Sequence, residues 1–213
     1  MCGRNGLNAS LDKLKKRYKA DHTYSNWQSS FNIAPSSTQP VVKKGSIVIE
    51  DMDWNFIPGW TDDTEKWKGK NVINARIEGV HENNLFKQSF REQQALIPST
   101  GFYEWKKTGK SKVPYRVFKE KQEIFSMAGF HSQGTFCILT KKSPTDFRKI
   151  HDRIPVILKR EDEIKYLNRE LSREELLSCS VDSVKFYQVS KQVNNPDFDN
   201  EKCIERKKTL DSF

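Results

Sequence analysis

The sequence predicts a single α+β domain built mostly around antiparallel sheet, and three observations carry that expectation. A chain of 213 residues is most economically one domain and is long enough to bury a real core. Its apolar runs are short, rich in Val, Ile and Phe, and separated by turns of Lys, Gly and Gln. Its helical patterns are few and brief, so strands must supply most of the interior.

The elements follow in order. Ser10 is placed to cap a short helix with Leu11, Leu14 and Tyr18 on one face. The other faces carry Lys13, Lys15, Lys16, Arg17 and Lys19, a basic surface expected to be solvated. Val41-Val42, a Lys-Gly turn and Ile47-Val48-Ile49 read as strands, and a further strand is expected from Trp54 to Ile57. Residues 113–118, 124–130 and 136–139 read as an antiparallel set. Ser143-Pro144 offers a capping residue and an N1 proline ahead of a short helix running into His151. Residues 154–158 read as a buried strand, and Ser172-x-x-Glu175 as a capping box. Residues 2–205 are expected to form the domain and 206–213 a flexible tail.

Composition narrows the function. The longest apolar runs are far too short to span a bilayer, and no charged-then-apolar leader opens the chain, so neither a membrane nor secretion is expected. Cys2, Cys137, Cys179 and Cys203 are widely spread, with no C-x-x-C pair, and His22, His81, His131 and His151 are equally scattered. No metal site and no cofactor are expected; the thiols suit a reducing cytoplasm. The net charge of +9, from 37 basic and 28 acidic residues, favours a polyanionic partner, nucleic acid first. A monomer is the default, since no oligomerisation motif appears.

Cys2 carries the sharpest chemical signal. Removal of Met1 would leave an α-amine and a thiol on one residue. The amine titrates near pH ~8, so part of it is an uncharged nucleophile at neutral pH. Toward an aldehyde it can form a Schiff base, and the thiol can close on the same carbon as a five-membered thiazolidine, with a very high effective concentration. A cysteine at position 2 also occurs by chance in an unstructured terminus, so position alone does not decide. Glu104, flanked by Phe102, Tyr103 and Trp105, is either a buried acid/base with a raised pKa or a strand-end carboxylate facing water. His151 precedes a buried strand and could shuttle protons or serve a structural role. Asn74-Ala75-Arg76 offers an orienting amide and a guanidinium able to fork onto phosphate.

Read together, Met1-Cys2-Gly3-Arg4, Asn32-Ile33-Ala34-Pro35, Trp54-Asn55-Phe56-Ile57-Pro58-Gly59-Trp60, Asn74-Ala75-Arg76, Gly101-Phe102-Tyr103-Glu104-Trp105 and Ile150-His151-Asp152-Arg153-Ile154-Pro155 form an ordered set. With the late Val189-Ser190 and Val193-Asn194, that set resembles the SRAP family, the SOS response-associated peptidase-like abasic-site processing proteins. The resemblance runs from residue 2 to about residue 200. It implies a compact α+β fold with a central barrel-like sheet and a positive groove for single-stranded DNA. It implies that Cys2 captures the ring-opened aldehyde of an abasic site as a thiazolidine crosslink. Matching by position, Glu104 would be the acid/base, Asn74 would hold the Cys2 amine or the sugar, and His151 would assist Schiff-base formation or stabilise the opened sugar. Arg4, Arg76 and Arg153 would contact phosphate, Pro35 and Trp105 would pack against displaced bases, and Trp54 would be a groove residue. A cytoplasmic location is implied, on the nucleoid in a bacterium and nuclear in a eukaryote.

The chain departs from the family pattern in places. Asn55 stands where the family commonly has Gly, Gln94-Ala95 where it often has Arg-Cys, and Asn84 where a basic residue is common. Two rivals stay open: a thiol peptidase using Cys2 as an N-terminal nucleophile, with removal of Met1 as that activity turned on itself, and a non-enzymatic binder of single strands.

Overall fold

A computed structural model describes residues 2–67, 69–120, 123–178, 180 and 183–207. In chain order it forms β1 (Asn5–Leu7), α1 (Leu11–Tyr18), β2 (His22–Tyr24), β3 (Ser30–Ile33), β4 (Thr38–Lys43) and β5 (Val48–Asp53). Next come β6 (Asn74–Arg76), α2 (Lys87–Glu92), β7 (Gln94–Ser99), β8 (Gly101–Thr108) and β9 (Ser111–Phe118). The last group is β10 (Phe125–Ser132), β11 (Thr135–Lys142), α3 (Thr145–Arg148), β12 (Arg153–Pro155), α4 (Glu163–Leu167), α5 (Arg173–Ser178) and β13 (Lys185–Gln188).

Two sheets result. One runs β12-β11-β10-β7-β4-β5-β2 and curls until β11 meets β5 at the parallel bridge Thr135↔Asp53, a ring closed at one point. The other runs β13-β9-β8-β1-β3. A single core joins them: Leu7, Phe102 and Val117 of the second sheet pack into the cluster that holds Ile49, Ile97, Phe130 and Phe136 of the first. At Gly129 a Cβ would lie 2.5 Å from the Cys137 carbonyl oxygen, so only glycine lets β10 and β11 approach there. The α+β class and the dominance of sheet agree with the expectation from sequence.

Local signals translate well. The Ser10 hydroxyl accepts the Lys13 N–H at 3.4 Å, and Leu14 and Tyr18 are buried beneath α1. Ser172 N–H donates to Glu175 Oε2 at 2.8 Å while Glu175 N–H donates to Ser172 Oγ at 3.2 Å, a complete capping box.

Three expectations need correction. The segment from Trp54 to Ile57 is not a strand: the Phe56 N–H donates to the Val72 carbonyl and Asn55 Oδ1 accepts the Val72 N–H, fastening it to a loop. β9 pairs with β8 and β13, not with β10, so the expected antiparallel set divides between the two sheets. Pro144 occupies the N-cap of α3 rather than its first turn, and the helix ends before His151. Of the expected tail, Lys207 N–H still donates to the Gln188 carbonyl at 2.9 Å, and residues 208–213 lie outside the described residues. Among the described residues no helix is long and apolar enough to cross a membrane.

Candidate functional site

Strand alternation on β8 sorts its side chains between two environments. Phe102 enters the main core together with Cys2, whereas Tyr103 and Trp105 join a second cluster with Val189, Val193 and Cys203. Glu104 follows Phe102 inward and is 2% exposed, so the buried reading of this carboxyl holds. Burial pushes its pKa up to about 7, against the pull of the Trp105 backbone N–H.

Cys2 has no exposed surface. Burial pushes its thiol up, and the nearby Glu104 charge adds to the effect. Its carbonyl oxygen accepts a 2.7 Å hydrogen bond from Asn74 Nδ2. Asn74 is positioned by β6, which lies parallel to β11 with Asn74 opposite Ile138. Asn74 Oδ1 is buried without a hydrogen-bond partner among the described residues, an acceptor beside the first residues of the chain.

His151 lies two residues ahead of β12. Its Nδ1 accepts the Arg153 N–H at 3.0 Å and sits 3.1 Å from Asp152 Oδ1. Burial holds its pKa below the ordinary value, so the ring is neutral near pH 7.

Glu104, Trp105, Lys107, Lys112, His151 and Asn194 line one cleft of about 390 Å³. Lys107 and Lys112 stand directly opposite each other across β8 and β9. Like charges so paired repel. Both are exposed, and neither makes a salt bridge among the described residues. A polyanion laid between them would relieve that repulsion.

The other expected contact residues divide. Arg76 is exposed on β6, two residues from Asn74, free to reach a phosphate. Trp105 lines the cleft with its Nε1 donating to Asn194 Oδ1 at 2.8 Å. Pro35 is half-buried just beyond β3 and is not among the cleft's lining residues. Trp54 must be corrected: it has no exposed surface, stacks on Phe136 at 6.1 Å, and donates from Nε1 to the Ile73 carbonyl. It therefore braces the strand that presents Asn74. Arg153 must be corrected as well, because its guanidinium is bonded to both Glu78 oxygens, at 2.8 and 2.9 Å, and to the Thr140 carbonyl. Arg4 is the third correction. Its guanidinium donates to Asn32 Oδ1 and to the Val193 and Asn194 carbonyls. Asn32 Nδ2 in turn donates to the Val193, Asn195 and Phe198 carbonyls. Arg4 and Asn32 thus clamp residues 193–198 over the second sheet, and that clamp is what the motifs at both chain ends build.

Sequence reasoning missed Lys107 and Lys112. Their signal was present in the basic hairpin Lys106-Lys107-Thr108-Gly109-Lys110-Ser111-Lys112, whose two-residue turn places the lysines face to face.

The fold sets a buried carboxyl poised near neutrality close to Cys2, in a cleft that Lys107 and Lys112 also line. The chain belongs to the SOS response associated peptidase (SRAP) family, whose model matches residues 1–196. It is 31% identical to the abasic site processing protein YoaM of Bacillus subtilis, over 92% of this chain and 94% of that one. The abasic site processing protein YoqW of the same species is 30% identical, over 96% and 99%. A protein of Bacteroides thetaiotaomicron, known from its crystal structure, shares the fold with a TM-score of 0.84 at 24% identity, over 97% of this chain and 100% of that one.

Proposed function

We propose that this chain senses abasic sites in single-stranded DNA and traps them covalently through the amine and thiol of Cys2, once Met1 has been removed. The ring-opened sugar presents an aldehyde at C1′. The α-amine adds to that carbon, and loss of water leaves an imine. The thiol then adds to the same carbon while its proton passes to nitrogen, closing a thiazolidine that joins protein to strand. Glu104 is the acid/base for ring opening and for these proton transfers. Asn74, already bonded to the Cys2 carbonyl, offers its Oδ1 to the amine. The neutral ring of His151 assists imine formation from the cleft wall. Lys107, Lys112 and Arg76 take phosphates on either side of the lesion, and Trp105 offers a ring for a displaced base, a contact of about 1–3 kcal/mol that tolerates any sequence.

One observation carries the reading: a carboxyl with a pKa of about 7 lies buried beside Cys2, where it can give and take a proton at neutral pH. The names of the related proteins point the same way. The same reading makes the protein a monomer that acts wherever its DNA lies, in cytoplasm or nucleus. Peptidase chemistry is less well supported, since burial holds the Cys2 thiol in its protonated form rather than as a resting thiolate. Removal of Met1 from itself is the one hydrolytic step the reading retains.

The test is a denaturing gel of purified protein with a single-stranded oligonucleotide bearing one abasic site, beside an undamaged control. A heat-stable, lesion-dependent shifted band is expected. No band from protein whose N-terminus has been confirmed as Cys2 would end the crosslinking reading and bring peptide hydrolysis forward.

A further inference from the structure

A second cavity, of about 400 Å³, shares no lining residue with the Glu104 cleft. Its floor is polar. Gln94, at the start of β7, is 7% exposed, and its Oε1 is buried without a hydrogen-bond partner among the described residues. The opposite amide orientation would leave a donor orphaned at the same place, so either way the floor holds an unmet hydrogen-bonding group. His131 lies beside it, since Gln94 pairs with Phe130 across β7 and β10.

The rim is cationic and drawn from separate elements. Lys43 ends β4, Lys44 begins the following turn, and Arg169 follows α4; Glu92 is the acidic residue on the lining. Lys43 is paired with Glu50, whereas Lys44 and Arg169 are exposed and make no salt bridge among the described residues. Burial first, then the Lys43 charge, lowers the His131 pKa to about 4, which leaves its ring an uncharged hydrogen-bonding wall. A cavity of this size suits a small metabolite rather than a bare ion.

We propose that this cavity is a second ligand site, taking a small phosphomonoester of mononucleotide size. Two cations without salt bridges among the described residues, Lys44 from the turn after β4 and Arg169 from the segment after α4, line the cavity and suit a phosphate dianion. Gln94 and the neutral His131 match the hydroxyl and amide groups of the organic part. The site does not depend on the crosslinking chemistry.

The His131 Cε1–H resonance of the full chain is the reporter, titrated with deoxyadenosine 5′-monophosphate, with deoxyadenosine and with inorganic phosphate. The monophosphate should give a saturable shift, inorganic phosphate a much weaker one, and the nucleoside none. Lys44→Glu, in an exposed turn, and Gln94→Leu should each weaken binding about ten-fold or more, the scale of a charge-assisted or buried hydrogen bond. Lys107→Glu, in the other cleft, should leave the titration unchanged. No saturable shift would overturn the proposal. So would binding that survives Lys44→Glu but not Lys107→Glu, and phosphate binding as tight as the monophosphate would overturn the mononucleotide part.

Discussion

The floor of the Glu104 cleft, with the buried Cys2 near it, and the cleft's rim are built on opposite principles. Cys2 and Glu104 have almost no contact with water, and the Asn74 amide is fixed to the Cys2 backbone. Lys107 and Lys112 are exposed, long and free of salt bridges among the described residues. Glu104 owes its pKa of about 7 to exclusion of solvent, so its chemistry depends on packing and hardly on salt. The rim works in water, where each charge is weak and screened beyond about 8–10 Å. The contrast teaches that reactivity and affinity rest on different residues. Substitutions should therefore divide into those that stop the reaction and those that loosen the grip.

The largest effect should come from Cys2→Ala. It should abolish the heat-stable adduct while affinity for undamaged single-stranded DNA stays within a few-fold, because no rim residue changes. A surviving adduct would mean that another nucleophile reacts. Glu104→Gln is the next step down. General acid–base catalysis contributes about 10²–10⁴-fold, so crosslinking should slow by at least about 100-fold with binding little altered. An inflection near pH 7 in the wild-type rate profile should vanish in the variant.

The same carboxyl makes a stability prediction with a definite sign. Its folded pKa of about 7 lies above the ordinary 4.5, so between those values the folded protein keeps a proton that the unfolded chain has lost. Its contribution is fully present below the unfolded value and is lost as pH rises through 7, on the order of 3 kcal/mol in all. Glu104→Gln should remove that decline and match or exceed the wild type in stability above about pH 7. Denaturant melts of both proteins across pH decide it: parallel curves would show that Glu104 ionises normally.

Trp54 and the buried arginines sharpen the contrast from the structural side. Trp54→Ala should destabilise by about 3–5 kcal/mol, the usual cost of emptying a large core site. Urea melts would measure it, and a loss below about 1 kcal/mol would place Trp54 outside the core. These residues also show how far the sequence could be read. Ser10 and the Ser172–Glu175 box were legible because their hydrogen bonds are local in sequence. Cys2, Asn74 and Glu104 stand out in the sequence as residue types suited to one reaction, and the structure brings them together. The fates of Arg4 and Arg153 were not legible, because their partners lie far along the chain: Asn32 and Val193 for one, Glu78 for the other. An arginine in a motif reads as a phosphate ligand until its distant partner is known. Residues 54–57 failed for the same reason, since their apolar character follows from contact with Val72 and Phe136 rather than from strand periodicity.

The smallest effect, and the cleanest test of the division, lies on the rim. Lys107→Glu with Lys112→Glu should weaken binding to undamaged single strands about ten-fold or more at low salt. Each lost phosphate contact should also flatten the log–log salt dependence by about 0.7, so the pair should lower the slope by about 1.4. Crosslinking measured at saturating DNA should keep its rate and its inflection near pH 7, because Glu104 lies buried below the lysines. If instead the inflection moves while the salt slope stays, the lysines act on the carboxyl rather than on the strand. Floor and rim would then form one electrostatic unit.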